Sequence, residues 1–491
     1  MSMLKSITAC ASALLIGVSA LGFSACGGDD EVINAYEIAV KNGFVGDERA
    51  WLDSLKGNAG EDGKNLTIED MYAQAKASEE GYEGTILDFM KELGITFSLQ
   101  EDNDTATIAK NITSVVSINV GFTKTERTGR YPFQTTRTKV SASGGSGVIV
   151  QLDKEQSTAY IVTNYHVVYG TPAYTDEADG ISKDIYVYPY GALDGFTTGD
   201  TNGNGYLDAG EGGRGDTTGG GMKATFIGGA MDYDIAILRV NNTDLKDSLV
   251  TEAVLGDSEK VTVGEKAFAI GNANGMGISV TNGLVSVDSE YIGISALDER
   301  DENRDGYADI VSFRVMRTDA AINPGNSGGG LFNAKGELIG IVNAKSVADA
   351  TDNMGYALPI TQVKYLLENI GDNDGMVKRA WLGVEVYTSD SYAYYDGDGR
   401  LCIMEELVVS SVLGGGAADA NADENKCLKV GDLFRSVTVH GKTTQVTRRY
   451  HINDLLLTVR KGDVVVFGIV REGSEMQVTI TFGENHFVDY N

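Results

Sequence analysis

Proline is scarce in this 491-residue chain, at five residues, which excludes Pro-rich linkers. Cysteine is scarcer still, at four. Cys10 and Cys26 belong to the N-terminal segment, so only Cys402 and Cys427 remain for the rest of the chain. That leaves room for one disulfide or for two buried thiols, and the residues do not choose between them. Positive charge is also short, with 40 Lys and Arg against 70 Asp and Glu, a formal net charge of −30. A surface of that sign argues against nucleic-acid binding and against an electrostatic hold on anionic lipid. No membrane-spanning apolar run follows residue 26.

What is present fits a loop-rich, mostly β chain. Glycine is abundant at 62 residues, and the length allows two to four domains with a core for each. The most informative stretch is Thr318-Asp-Ala-Ala-Ile-Asn-Pro-Gly-Asn-Ser-Gly-Gly-Gly330. Ser327 follows a Pro-Gly turn among small residues, so its hydroxyl can stand at a cleft mouth with amides of Gly325, Asn326 and Ser327 turned toward one point. A nucleophile so placed needs a base and an orienting acid. Of the four histidines only His166 precedes the serine, at the end of the β-branched run Ala159-Tyr-Ile-Val-Thr-Asn-Tyr-His. Asp234 opens the apolar run Asp234-Ile-Ala-Ile-Leu238, where a carboxylate is costly unless it accepts hydrogen bonds, as from an imidazole. The order His, Asp, Ser is that of chymotrypsin-like double β-barrels.

These segments, with Gly144-Gly-Ser-Gly-Val-Ile-Val150, Ile270-Gly-Asn-Ala-Asn-Gly-Met-Gly277 and Val280-Thr-Asn-Gly-Leu-Val-Ser286, resemble the HtrA/Deg serine proteases over roughly residues 105–485. The resemblance implies a chymotrypsin-like double β-barrel followed by an α+β PDZ domain. It also implies an endopeptidase acting on unfolded or misfolded envelope proteins, with a homotrimer favoured and no cofactor needed for the chemistry. The expected organisation is a signal segment over 1–26, a small helical spacer over 27–103, the protease over 104–370 and the PDZ domain over 379–485. A silent, chaperone-like binder and a specific processing protease are the alternative functions. Trp381-Leu-Gly-Val384 stands where the family captures a peptide's C-terminal carboxylate, so Trp381, Leu382, Gly383 and Val384 are the candidate groove residues. By the same resemblance, the uncharged residues 320–323 and 339–344 line a primary pocket for a small or medium apolar side chain.

Three further features are read from the residues themselves. Residues 1–26 carry a positive start and an apolar, small-residue run ending in Phe-Ser-Ala-Cys26, similar to a bacterial lipobox. Lipidation at Cys26 then places the protein on the extracytoplasmic side of a bacterial membrane. Asp200-Thr-Asn-Gly-Asn-Gly-Tyr-Leu-Asp-Ala-Gly-Glu211 matches an EF-hand calcium loop, with oxygens from Asp200, Asn202, Asn204, Tyr206, Asp208 and Glu211. Its flanks read as loop, without the usual helices. A second loop partly repeats the pattern with Asp301, Asn303, Asp305, Tyr307 and Asp309, but offers Ser312 where a bidentate carboxylate belongs.

Overall fold

The computed structural model describes residues 73, 76, 77 and 104–490, apart from 303, 305–306, 344–353 and 420–426. The expected signal segment, Cys26 and nearly all of the helical spacer lie outside the described residues.

A helix, α1 (Asp104–Ile112), precedes the first strand, where the sequence suggests that a strand already begins at Ile112. The β-branched run Ile112-Thr-Ser-Val-Val-Ser-Ile-Asn-Val120 instead feeds β1 (Val115–Thr128), which pairs along its full length with β2 (Thr135–Asp153). With β3 (Thr158–Thr163), β4 (Asp184–Pro189), β5 (Met222–Ala230) and β6 (Ile235–Asn241) they make a seven-stranded sheet, its last member the short Tyr206–Leu207. Because β1 pairs with both β2 and β4, the sheet closes on itself as a barrel. Its interior is filled by Val116, Ile118, Ile161, Val187 and Leu238, all at most 1% exposed.

The second barrel repeats the plan. Strands β7 (Lys266–Gly271), β8 (Ser279–Ser295), β9 (Ile310–Thr318), β10 (Gly330–Asn333), β11 (Glu337–Asn343) and β12 (Gly355–Pro359) form a seven-stranded sheet with Val254–Leu255. It closes where β11 meets β12. A shared core between the barrels joins Val115 and Ile235 of the first to Phe332 and Ile341 of the second.

Past the barrels, α2 (Ile360–Asp372) bridges to a C-terminal module. Fully buried Asn369 ties the two together, donating to the carbonyls of Lys378 (2.9 Å) and Leu457 (2.6 Å) while accepting from the Lys378 amide (2.8 Å). In the module, β13 (Val377–Ala380) pairs with Phe487–Tyr490. A PDZ-like sheet contains β14 (Val384–Tyr395), β15 (Leu401–Val412), β16 (Leu433–Val439), β17 (Val464–Arg471) and β18 (Ser474–Thr481). The helix α3 (Arg449–Leu455) packs Ile452 into the same core as Phe434 and Phe467. Residues 392–400 form the tip of the long β14–β15 hairpin. No disulfide joins Cys402 to Cys427. No described helix is long and apolar enough to cross a membrane.

Candidate active site

The two barrels place His166 and Asp234 on one side of their junction and Ser327 on the other. His166 lies in a single helical turn, Tyr165–Val168, that starts as β3 ends. Asp234 caps a 3-10 turn in the left-handed conformation (φ 50°, ψ 42°), which turns its carboxylate back before β6 begins. The side chain is 0% exposed, yet its acceptor capacity is filled. The His166 amide donates to Oδ1 at 2.9 Å, and His166 Nδ1 lies 2.7 Å from Oδ2. Asn343 Nδ2 donates to Oδ2 at 2.9 Å, and Asn164 Nδ2 donates to the Asp234 carbonyl at 2.9 Å. A carboxylate held by these donors fixes both the place and the tautomer of the imidazole.

The serine loop is braced from the first barrel by Ser146, itself 0% exposed. Its amide donates to the Ser327 carbonyl at 2.7 Å, and its hydroxyl donates to the Gly325 carbonyl at 2.7 Å. The same hydroxyl accepts from the Asn272 amide at 2.8 Å. The Gly325 and Ser327 carbonyls are thereby turned inward, leaving the opposite face of the peptide chain to the cleft. Gly325 has φ +94°, and a Cβ there would stand 2.2 Å from the Asn272 carbonyl oxygen. Gly328 has φ +83°, and a Cβ there would meet the Ser146 carbonyl at 2.1 Å and Thr163 Oγ1 at 2.3 Å. Both positions therefore require glycine for two reasons, conformation and space.

One member of the expected oxyanion set is corrected. The Asn326 amide donates to the Asn323 carbonyl at 3.0 Å, closing the Pro-Gly turn, so it is engaged inside the loop. Gly325 and Ser327 remain as candidate donors. Sequence reasoning missed Ser146, Asn343 and Asn164 as supports. All three sit within segments already singled out, Asn343 in the 339–344 stretch expected to line the primary pocket, but nothing local marks their partners.

The acidic loop 200–211 is flanked by the short strands Phe196–Thr197 and Gly215–Asp216, where its sequence suggests loop, and Tyr206–Leu207 pairs with Thr138 and Lys139 of β2. Its oxygens are turned onto the loop itself. Asp200 accepts from the amides of Gly203, Asn204 and Gly205, Asn202 from Asn204, and Asn204 from Tyr206. Asp208 accepts from the side-chain amides of Asn202 and Asn204, and Glu211 from Thr201, Asn202 and Asp208. These bonds hold the Asp208 and Glu211 carboxyls below their ordinary values. Among the described residues no three His, Cys, Asp or Glu side chains converge as a metal cluster. In the second loop Asp309 accepts from the Glu302 amide at 3.0 Å and Tyr307 is 79% exposed, while Asn303 and Asp305 lie outside the described residues.

In the C-terminal module, Trp381, Leu382, Gly383 and Val384 line a groove with Ile452 of α3 and Leu456, which caps that helix. The Trp381 amide donates to the His486 carbonyl at 2.8 Å, so this residue contributes its ring and not its N–H. Where the module meets the second barrel, β9 supplies Arg314, 2% exposed. It pairs with Asp454 of α3, donates to Glu259 at 3.0 Å and to Ser289 at 3.1 Å, and stacks 3.3 Å from the Tyr450 ring centroid. Gln362 Nε2 donates to Asp454 at 2.9 Å, and His451 Nε2 lies 3.3 Å from Glu259. Burial alone would raise the Glu259 carboxyl, but the His451 bond and the Arg314 charge outweigh it and bring it down to about 2. Burial likewise opposes the Arg314 charge, and the facing carboxylates outweigh that, pushing the guanidinium further up.

The family described as "Trypsin-like peptidase domain" matches residues 145–341, a span holding all three candidate catalytic residues. The chain carries a trypsin-like peptidase domain homologous to the HtrA, DegP and DegQ serine proteases. It is 28% identical over 337 residues to the Serine protease Do-like HtrA of Bacillus subtilis, covering 68% of this chain and 62% of that relative. It is 32% identical over 265 residues to the Periplasmic pH-dependent serine endoprotease DegQ of Escherichia coli, covering 53% of this chain and 51% of the relative. The chain thus spans less than two thirds of the length of either relative. A solved HtrA-type protease, AlgW with tripeptide, overlays 77% of this chain and 96% of its own, at TM-score 0.45 and 23% identity.

Proposed function

We propose that the protein is a serine endopeptidase of HtrA type that cleaves unfolded or misfolded extracytoplasmic proteins. The observation that carries this reading is the buried Asp234 carboxylate, which holds His166 by both its amide and its Nδ1 beside a glycine-built serine loop. Ser327 Oγ attacks the scissile carbonyl while His166 Nε2 takes its proton and then gives it to the leaving amine. Asp234 keeps the imidazole in the tautomer with the proton on Nδ1 and stabilises the imidazolium that forms. The Gly325 and Ser327 amides receive the oxyanion. Water, deprotonated by the same histidine, releases the acyl group. No step calls on a cofactor. Casein cleavage by the mature protein, abolished in Ser327→Ala, tests the assignment; equal cleavage by the variant would remove it.

The finer reading extends to the rest of the chain. Residues 104–370 act as the protease domain and 379–485 as a PDZ domain whose groove binds peptide C-termini. Residues 1–26 direct export, Cys26 carries a lipid, 27–103 act as a spacer, and the assembled form is a homotrimer. Radiolabelled palmitate incorporation lost in Cys26→Ser tests the anchor, and sedimentation equilibrium tests the trimer.

The donor set of 200–211 suits calcium, a hard cation that takes carboxylate, amide and carbonyl oxygens. Asp200, Asn202, Asn204, Asp208, Glu211 and the Tyr206 carbonyl would hold it, and Asp301, Tyr307 and Asp309 would contribute to a weaker second site. A melting temperature that rises with calcium in the parent and not in Glu211→Gln supports the first site; identical melts with calcium and chelator remove it.

A further inference from the structure

The ribbon of β1 and β2 leaves the first barrel as a two-stranded arm. β4 pairs with β1 only from Val116 to Gly121, whereas β1 and β2 stay paired out to Thr128 and Thr135. The base of the arm is braced: Thr138 and Lys139 pair with Leu207 and Tyr206, and Asp176 accepts from the Thr125 amide at 2.8 Å. Beyond those contacts every residue from Arg127 to Arg137 is exposed. At the turn stand Tyr131 and Phe133, 90% and 86% exposed, the most exposed aromatic side chains among the described residues. Single apolar side chains in water are ordinary, but two rings framed by cations at one tip form a feature.

The charge of the arm is opposite to that of the chain. Residues 124–139 carry Lys124, Arg127, Arg130, Arg137 and Lys139 against one carboxylate, Glu126, in a chain of formal net charge −30. The carboxylates at the base are matched by cations of the arm itself. Asp176 lies 3.2 Å from Lys124, Asp208 3.6 Å from Arg137 and Glu126 4.0 Å from Lys139. Arg127 and Arg130, nearest the turn, enter no ion pair among the described residues.

We propose that this tip is a membrane contact: Tyr131 and Phe133 enter the headgroup region of an anionic bilayer, and Arg127 and Arg130 meet its lipid phosphates. Aromatic rings are favoured at that boundary, and a guanidinium binds phosphate through paired N–H groups. Size favours lipid over a protein partner. Two rings bury about 150–250 Å² each, well short of the roughly 800 Å² a side of a stable protein interface. A bilayer can take up a single turn. Reach answers the charge of the body. From Thr125 to Thr128 the arm rises about 10 Å, at about 3.3 Å per residue, which exceeds the Debye length of about 8 Å at physiological salt. The repulsion that the net charge implies for the whole chain is therefore screened where the tip touches. The contact does not depend on the lipid proposed at Cys26; beside such an anchor it would limit how the cleft can turn relative to the membrane.

The test uses the full mature chain with Cys26→Ser, so that no attached lipid holds it. Co-sedimentation is read with phosphatidylcholine vesicles that contain about one-third phosphatidylglycerol, or none, at about 0.15 M salt. The chain binds the anionic vesicles about tenfold more tightly than the neutral ones. Replacing Arg127 and Arg130 by Gln loses about fivefold for each arginine. Tyr131→Ser with Phe133→Ser loses about tenfold. Phe133→Trp keeps the binding, and brominated lipid quenches its fluorescence beyond the background of the parent. Unchanged melting temperatures show that each variant is folded. No vesicle binding by the parent, affinity unmoved by either paired variant, or a tip tryptophan that brominated lipid does not quench overturns the proposal. A sedimentation change on losing the rings, without vesicle binding, gives the arm to a second copy of the chain instead.

Discussion

Replacing Asp454 by Leu should loosen the C-terminal module more than any other single change at its junction with the second barrel. The substitution leaves the Arg314 guanidinium, whose side chain is 1% exposed, without its most buried counter-charge. Breaking one side of a buried ion pair costs about 3–5 kcal/mol. Glu259 still faces Arg314 at 3.0 Å, and Tyr450 still covers it, so the cost falls near the lower end, about 3 kcal/mol. With a urea slope of about 1–2 kcal/mol per M for a module of this size, the unfolding midpoint drops by about 1.5–3 M. Trp381, beside the groove loop, reports the transition by fluorescence. The pair can also be removed whole. Arg314→Met with Asp454→Leu should recover most of the loss, because two apolar side chains of similar size avoid burying any charge. A midpoint for Asp454→Leu within about 0.3 M of the parent, or a double variant weaker than the two single losses added, would refute the reasoning.

The same cluster predicts a pH dependence. Glu259 has its folded-state carboxyl lowered from 4.5 to about 2, so its contribution is complete above the unfolded value and is lost as pH falls through the folded one. The urea midpoint should therefore decline between about pH 4.5 and 2, and Glu259→Gln should flatten that part of the curve. Asp234→Asn should lower kcat by about 10⁴-fold with little change in KM, since the imidazole loses its tautomer partner. Asn343→Ala removes one bond to the same carboxylate and should lower kcat by about 10-fold to 100-fold, measured on a chromogenic peptide. Gly325→Ala should abolish cleavage while leaving secondary structure intact by circular dichroism, because its Cβ would lie 2.2 Å from the Asn272 carbonyl and displace an oxyanion donor.

The candidate triad was legible because each member advertises itself locally. Ser327 has a glycine turn, His166 a β-branched run before it, and Asp234 an apolar strand after it. Their supports were not, because those roles exist only through distant contacts. Ser146 meets Gly325 across 179 positions and Asn343 meets Asp234 across 109. The Asn326 amide looked available in sequence, since nothing in Pro-Gly-Asn-Ser says which carbonyl will face the turn; the fold supplies Asn323. Trp381 lost its amide to His486 in the same way, over 105 residues of separation between them (486 − 381). The double barrel followed from the family resemblance, while α1 was hidden by the β-branched run that begins at its last residue.

The serine loop is held by groups from both barrels, and this bears on how the C-terminal module can influence chemistry. Ser146 of β2 fixes the carbonyls around Ser327, and Asn343 of β11 fixes the acid of the first barrel. Neither barrel alone therefore completes the site. β9 leads from Arg314 to Thr318, nine positions before Ser327 (327 − 318), and its Thr318 hydroxyl donates to the Leu284 carbonyl at 2.8 Å. A shift at the Arg314 cluster is thus a shift at the root of the loop that carries Ser327. A packed strand transmits such a displacement as a rigid element, because its interior has no slack to absorb it. Asp454→Leu should accordingly lower casein cleavage as well as stability, with the double variant recovering both together. Recovery of stability without recovery of cleavage would instead assign the carboxylate a part in the chemistry that packing does not supply.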